Sequence, residues 1–123
     1  MIPSADAALI RKGDCTADGD KIWGTFYYLN EGTSWFADYA AYTLEDSAGD
    51  QSNVTIRVED TTGHRYFNFN SPDDRKGGNS YTKNIDRSVA KRNDPSFWLK
   101  FTPDQFGFDP SCSFRRYFTK SGD

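Results

Sequence analysis

One histidine, two cysteines and one methionine in 123 residues leave little room for several kinds of chemistry. A lone imidazole (His64) and two distant thiols supply too few soft ligands for a structural zinc site. The sequence has no phosphate-cradling glycine loop and no G-x-S-x-G elbow, so the usual signatures of nucleotide binding and serine hydrolysis are missing. No run approaches the ~18 apolar residues of a membrane-spanning helix, which speaks against membrane insertion. Leucine and the other long helix formers are sparse.

Aromatic residues, by contrast, make up 16% of the chain, and they suit pleated, half-buried surfaces. Gly, Asn, Asp, Ser and Pro punctuate the whole length. That pattern predicts an all-β fold, an antiparallel β-sandwich of seven or eight strands, built as one domain over residues 1–123 with a flexible segment at 1–7. Val54, Ile56 and Val58 alternate with Thr55, Arg57 and Glu59, and lead through Asp60-Thr61-Thr62-Gly63 into Phe67 and Phe69. This is the clearest hairpin in the sequence. Between Lys21 and Leu29 both faces are apolar, which predicts a strand central in its sheet. Phe97, Leu99 and Phe101 alternate in the same way near the end.

Other segments give weaker expectations. A first strand over Ala8–Lys12 is expected to stop at Gly13-Asp14, and Asp18-Gly19-Asp20 reads as a tight turn. Asn30–Ser34, Ser71–Asn79 and Asp86–Asp94 read as loops, the last with a helical turn near Ser88–Ala90. Tyr81, Lys83 and Ile85 fit a short edge strand, where lysine helps block unwanted pairing.

Cys15 and Cys112 lie 97 positions apart near opposite ends, and their pairing as one disulfide suits an oxidising compartment. Small, polar residues open the chain, as they do beyond many signal-peptidase cuts. Together these point to a secreted, extracellular protein. A disulfide from the first part of the chain to the last strand recurs in immunoglobulin-like sandwiches, so that arrangement is expected, although the cysteine–tryptophan–cysteine spacing of antibody domains is missing. Asn53-Val54-Thr55 matches a glycosylation acceptor.

Function is less legible. The leading expectation is a non-catalytic binding protein that recognises another protein or a glycan through its loops, in the manner of an inhibitor, an antagonist or a subunit of a secreted assembly. Trp35 and Phe36, beside the Gly32 loop, are the expected exposed aromatic pair. The tryptophans and tyrosines as a set invite stacking on sugar rings. Arg75, Lys76, Lys83, Arg87, Lys91 and Arg92, with Arg115, Arg116 and Lys120, form a basic set that could meet an acidic partner. Residues 1–60 carry a net −7 and the remainder +4, but the acidic total speaks against nucleic acid.

The alternative is a small secreted ribonuclease, in which Glu45 acts as base, Arg57 clamps the phosphate and His64 serves as acid. No cofactor is expected, with calcium on Asp14, Asp18 and Asp20 the one weighed exception.

Overall fold

Residues 8–104 and 110–119 are described by the structure, a computed structural model. The expected N-terminal segment 1–7 and Lys120 lie outside them. Eight strands form: β1 (Leu9–Ala17), β2 (Asp20–Glu31), β3 (Ser34–Leu44), β4 (Asn53–Glu59), β5 (Arg65–Asn70), β6 (Ser80–Ala90), β7 (Ser96–Thr102) and β8 (Cys112–Tyr117). They make two four-stranded sheets, β1-β2-β3-β6 and β5-β4-β7-β8, with every pairing antiparallel. The immunoglobulin comparison goes no further than the two-sheet architecture. In an immunoglobulin constant domain the second strand is flanked by the first and fifth; here β2 lies between β1 and β3.

Period-two alternation builds the core as expected. Ile22, Phe26 and Tyr28 of β2, Ala40, Tyr42 and Leu44 of β3, Val54, Ile56 and Val58 of β4, and Phe97, Leu99 and Phe101 of β7 are all buried. Across the sheets Phe26 stacks on Phe97 at 4.6 Å, and Phe97 on Phe118 at 4.2 Å. Tyr28 meets Phe118 edge-on and gives its hydroxyl proton to the Phe118 carbonyl. The apolar bodies of the aromatics thus fill the core while this one polar handle is satisfied.

Three sequence expectations fail locally, for identifiable reasons. First, β1 does not stop at Gly13. Gly13 and Gly24 face each other across β1 and β2, and the ring of Phe114, from the opposite sheet, sits over both. A β-carbon at Gly13 would lie 2.4 Å from that ring, and one at Gly24 2.9 Å. The glycines are there for close approach rather than to end a strand.

Second, Asn30–Ser34 shrinks to a turn at Gly32-Thr33, with Glu31 still paired to Ser34. Third, Asp86–Ala90 is strand and not loop or helix, because two bulges keep the pairing in step: Asp38 is an extra residue of β3 against β2, and opposite it β6 carries two residues, Ile85 and Asp86. Asp38 interrupts the register with both β2 and β6, so Ala37 and Ala40, three apart, both face the core. Asp86 takes up the mismatch on β6 with φ 51°. This is how a bulge lets an edge strand continue past a step.

The Asp18-Gly19 turn forms as expected, both residues having positive φ (48° and 88°), the geometry that two-residue hairpins favour. Cys15 and Cys112 are bonded, with their Cα atoms 5.9 Å apart, and so join β1 to β8.

Three measurements check this frame. Under denaturing conditions alkylation should add no mass until reductant is present. The Cys15→Ser, Cys112→Ser variant should lose about 2–5 kcal/mol of stability in urea, since the bond closes a 97-residue loop in the unfolded chain. Gly13→Ala should cost about 1–3 kcal/mol by overpacking, and Phe114→Leu in the same chain should cancel part of that cost if ring and glycine truly meet.

Candidate functional site

The expected exposed pair, Trp35 and Phe36, is split by strand geometry. Both lie on β3, so successive side chains point to opposite faces. Trp35 turns inward, packing edge-on against Tyr28 at 5.4 Å and stacking on Phe118 at 5.9 Å. Phe36 turns outward beside Leu29 of β2. The exposed tryptophan is Trp23, with 44% of its surface accessible.

Trp23 belongs to the other face of the strand that supplies the core. The alternation that buries Ile22, Phe26 and Tyr28 leaves Trp23, Thr25, Tyr27 and Leu29 facing outward. Register extends this row sideways: Asp14–Trp23–Thr43–Ser80, Lys12–Thr25–Ala41–Thr82, Ile10–Tyr27–Tyr39–Asn84 and Leu29–Phe36–Ser88. Tyr27 and Tyr39 stack at 4.3 Å, and Ile10 is 48% exposed. The outer face of the first sheet is therefore a flat field of aromatic rings and hydroxyls, with charge kept to its margins at Lys12, Asp14, Lys21 and Asp38.

Open space lies on both sides of the indole. A hollow of about 310 Å3 toward β6 is lined by Trp23, Thr25, Ala41, Thr43, Ser80 and Thr82 among others. Another, of about 370 Å3, lies toward β1 and β8, against Lys12, Asp14 and Arg116. Apolar residues on both faces marked this strand as central in the sequence. The separation of Trp23 from the core required knowing which face lay inward.

The second sheet's outer face is differently made. Trp98 is half-buried there, and the Arg57 guanidinium covers its ring at 4.7 Å. Arg57 also donates to Asn68 at 2.9 Å, while Glu59 holds Arg115 at 3.1 Å and Arg65 at 3.5 Å. Its charges largely bind one another.

Much of the expected basic set gathers along one seam, where β6 of the first sheet comes near β5 of the second. Each of four cations there lies over a ring: Arg75 on Tyr81 (4.5 Å), Lys83 on Phe69 (4.5 Å), Arg87 on Phe67 (5.5 Å) and Lys91 on Trp35 (4.3 Å). Arg75 also pairs with Asp74, and Lys91 donates to Asn30. Lys76 and Arg92 are exposed. Lys76 gives only its backbone N–H, to the Tyr81 hydroxyl. Arg116, on β8, donates to the Lys12 carbonyl.

The Ser71–Asn79 loop is tied down as well. Arg75 exchanges backbone bonds with Ser52, and Gly77 and Gly78 donate to Gly49 and Leu44. Asn53 of the glycosylation triplet donates its side chain to Asp73.

The ribonuclease constellation is not assembled. Glu45 follows the end of β3, accepting from the Lys21 N–H at 2.9 Å. His64 is exposed beyond the other end of β4, edge-on to Tyr66 at 4.4 Å. The seven residues of β4 put about 20 Å between those two ends of the sandwich, and Arg57 faces outward over Trp98.

The three aspartates weighed for calcium are likewise apart in role. Asp14 is on the outer face, Asp18 is in the turn, and Asp20 is buried and accepts from Ser47. Among the described residues no three His, Cys, Asp or Glu side chains converge. The best-held carboxylate is Asp60, which accepts from the Thr62 hydroxyl, the Thr62 N–H and the His64 N–H. Those bonds, the Thr62 hydroxyl foremost, hold its pKa below the usual carboxylate value. It fixes the β4–β5 turn.

The class defined so far is a two-sheet antiparallel sandwich with one disulfide and an uncovered aromatic face. No family model, curated protein or solved structure matches the chain.

Burial raises the pKa values of Tyr28 and Tyr42, against the opposing charges of Arg11 and Arg75 respectively. Partial desolvation, with Tyr27 and Asp38 nearby, raises that of Tyr39. A raised folded-state pKa means that the unfolded chain gives up its proton first, so the stability from these groups is complete below the ordinary value of 10.0 and is lost as pH rises through the folded values. Urea midpoints should therefore fall as the pH rises above about 10, and the fall should be shallower in Tyr42→Phe.

Proposed function

We propose that the protein is a secreted, non-catalytic binding domain that recognises another protein or a glycan through the outer face of its first sheet. The observation that carries this reading is Trp23, 44% exposed on a central strand and flanked by hollows on both sides. With Tyr27, Leu29, Phe36, Tyr39 and Ile10 it makes a contiguous aromatic and aliphatic field. Scattered surface hydrophobics need no explanation, but a contiguous field marks an interaction surface. Aromatic anchors of this kind dominate binding energies because they bury large area at little cost in conformational freedom.

The backbone beneath the field is the middle of a four-stranded sheet, so its geometry is set before a partner arrives and little ordering cost is added on binding. The loops, which the sequence nominated, are less suited to the task, since the longest is bonded to the β3–β4 connection. The disulfide supports the extracellular assignment.

Affinity capture from the protein's native extracellular surroundings tests the proposal. Wild type should retain a defined macromolecule, and folded Trp23→Ala should lose it while Trp98→Phe keeps it. Retention by all three proteins would move binding off this face. Hydrolysis of RNA that disappears in His64→Ala would replace the reading with the enzymatic one.

A further inference from the structure

We infer that the hollow beside Trp23 is a binding site for a neutral, β-linked glycan, one pyranose stacking on the indole while its hydroxyls bond to Thr25, Thr43, Ser80 and Thr82. The inference deepens the proposed function and rests on its reading of this face as a binding surface.

Three features of the hollow select this ligand over others. Its floor is made of small side chains, Ala41 among them, and of hydroxyl groups, so a large apolar anchor from a protein partner would strand polar groups on burial. A sugar ring has the matching character, with an apolar C–H face and a polar rim. Thr43 Oγ1 and Ser80 Oγ share one hydrogen bond at 2.7 Å. Each hydroxyl can give one proton and accept twice, so the pair keeps one free proton and spare lone pairs for a ligand that is itself donor and acceptor.

Charge is the second feature. The residues lining this hollow are uncharged. Charge borders the second hollow instead, at Lys12, Asp14 and Arg116, so the hollow that takes the stacked ring is neutral. An anionic polymer would find better purchase on the β6 seam, where the cations are instead occupied by aromatic rings.

Shape is the third. Trp23 and Tyr27 are four residues apart on one face of β2, about 13 Å at strand spacing, and a second hollow lies on the other side of the indole. A flat, extended oligosaccharide can lie along this row. Chains of equatorially linked β-pyranoses are flat ribbons, whereas α-linked chains of the same sugar coil away from a flat floor.

Titration of the whole protein with cellohexaose, followed by tryptophan fluorescence and calorimetry, with maltohexaose as the coiled control, decides the matter. Expected are saturable binding of cellohexaose, at least about tenfold weakening in Trp23→Ala, about three- to tenfold weakening in Thr43→Val, and little effect of Trp98→Phe. Should Trp23→Ala fold poorly, Thr82→Lys puts a bulky charge in the hollow from an exposed edge position and should abolish binding.

Absence of cellohexaose binding, stronger binding of maltohexaose, or binding that ignores Trp23→Ala and Thr82→Lys would each overturn the inference. If cellohexaose fails while capture still finds a Trp23-dependent protein, the sugar inference alone falls. If neither partner depends on Trp23, the proposed function falls with it.

Discussion

The meeting of Phe114 with the glycine pair Gly13 and Gly24 sets how closely the two sheets approach at one edge. A side chain at either glycine would collide with the ring, so the absence of two β-carbons lets β8 lie directly on β1. The Cys15–Cys112 bond sits on the same strand pair, two residues from Gly13 on one side and two from Phe114 on the other. The covalent link and the packed ring therefore act on one short stretch. Remove the ring and the glycines leave a void; enlarge a glycine and the ring must move, straining the bonded strands beside it. Large core aromatics, stacked across the sheets from Phe26 through Phe97 to Phe118, then fill the interior at the spacing this edge imposes.

The opposite edge, between β6 and β5, has no such bond, and it solves its exposure in another way. Rings of β3, β5 and β6 reach the rim there, and cations from β6 and its flanking turns lie over them. An arginine or lysine stem covers apolar surface while its head stays wet, and an exposed cation–π contact contributes roughly 0.5–1 kcal/mol. Lys83 and Arg87 pair in register with Ala40 and Ala37, so they are charges pointing toward the sandwich interior at an edge. That placement also deters pairing with a second chain's strand. The basic character of the chain's second half thus has a structural use, and its local excess of positive charge reads as a lid over the seam.

The fold was legible wherever one residue type repeated at one period. Val54, Ile56 and Val58 announced their strand because their neighbours on the other face were polar, and Phe97, Leu99 and Phe101 announced theirs by their own alternation. Gly13 misled because a glycine made necessary by a ring 101 residues away looks, locally, like one that ends a strand. Asp86–Ala90 misled because its strand character depends on a bulge at Ile85-Asp86 opposite Asp38 of β3, which polar residues on an edge do not signal. Trp35 and Trp23 were equally aromatic in the sequence. Only the assignment of inner and outer faces separates them, and on β2 both faces were apolar, so periodicity gave no direction. The dispersed set Glu45, Arg57 and His64 shows the converse, since chain order along neighbouring strands says nothing about which end or face each residue occupies.

That ambiguity on β2 leads to the functional question. The strand's inner row must be apolar, because it carries the core of the first sheet. Its outer row has no such requirement: Thr25 sits there comfortably, as do Thr43, Thr82 and Ser80 on β3 and β6. An indole, two phenols, Leu29 and Phe36 on the same surface contribute to β-propensity and cross-strand packing, but threonine and valine would contribute much of that at lower exposed apolar area. Trp98 on the other sheet shows what a structural outer-face tryptophan looks like: half-buried, covered by Arg57, and flanked by Arg115, which Glu59 holds. Trp23 has Lys21 at 5.7 Å from its ring, and open hollows to either side. The difference between the two tryptophans is the difference between a ring the fold has already covered and one whose contact surface is still available to a partner.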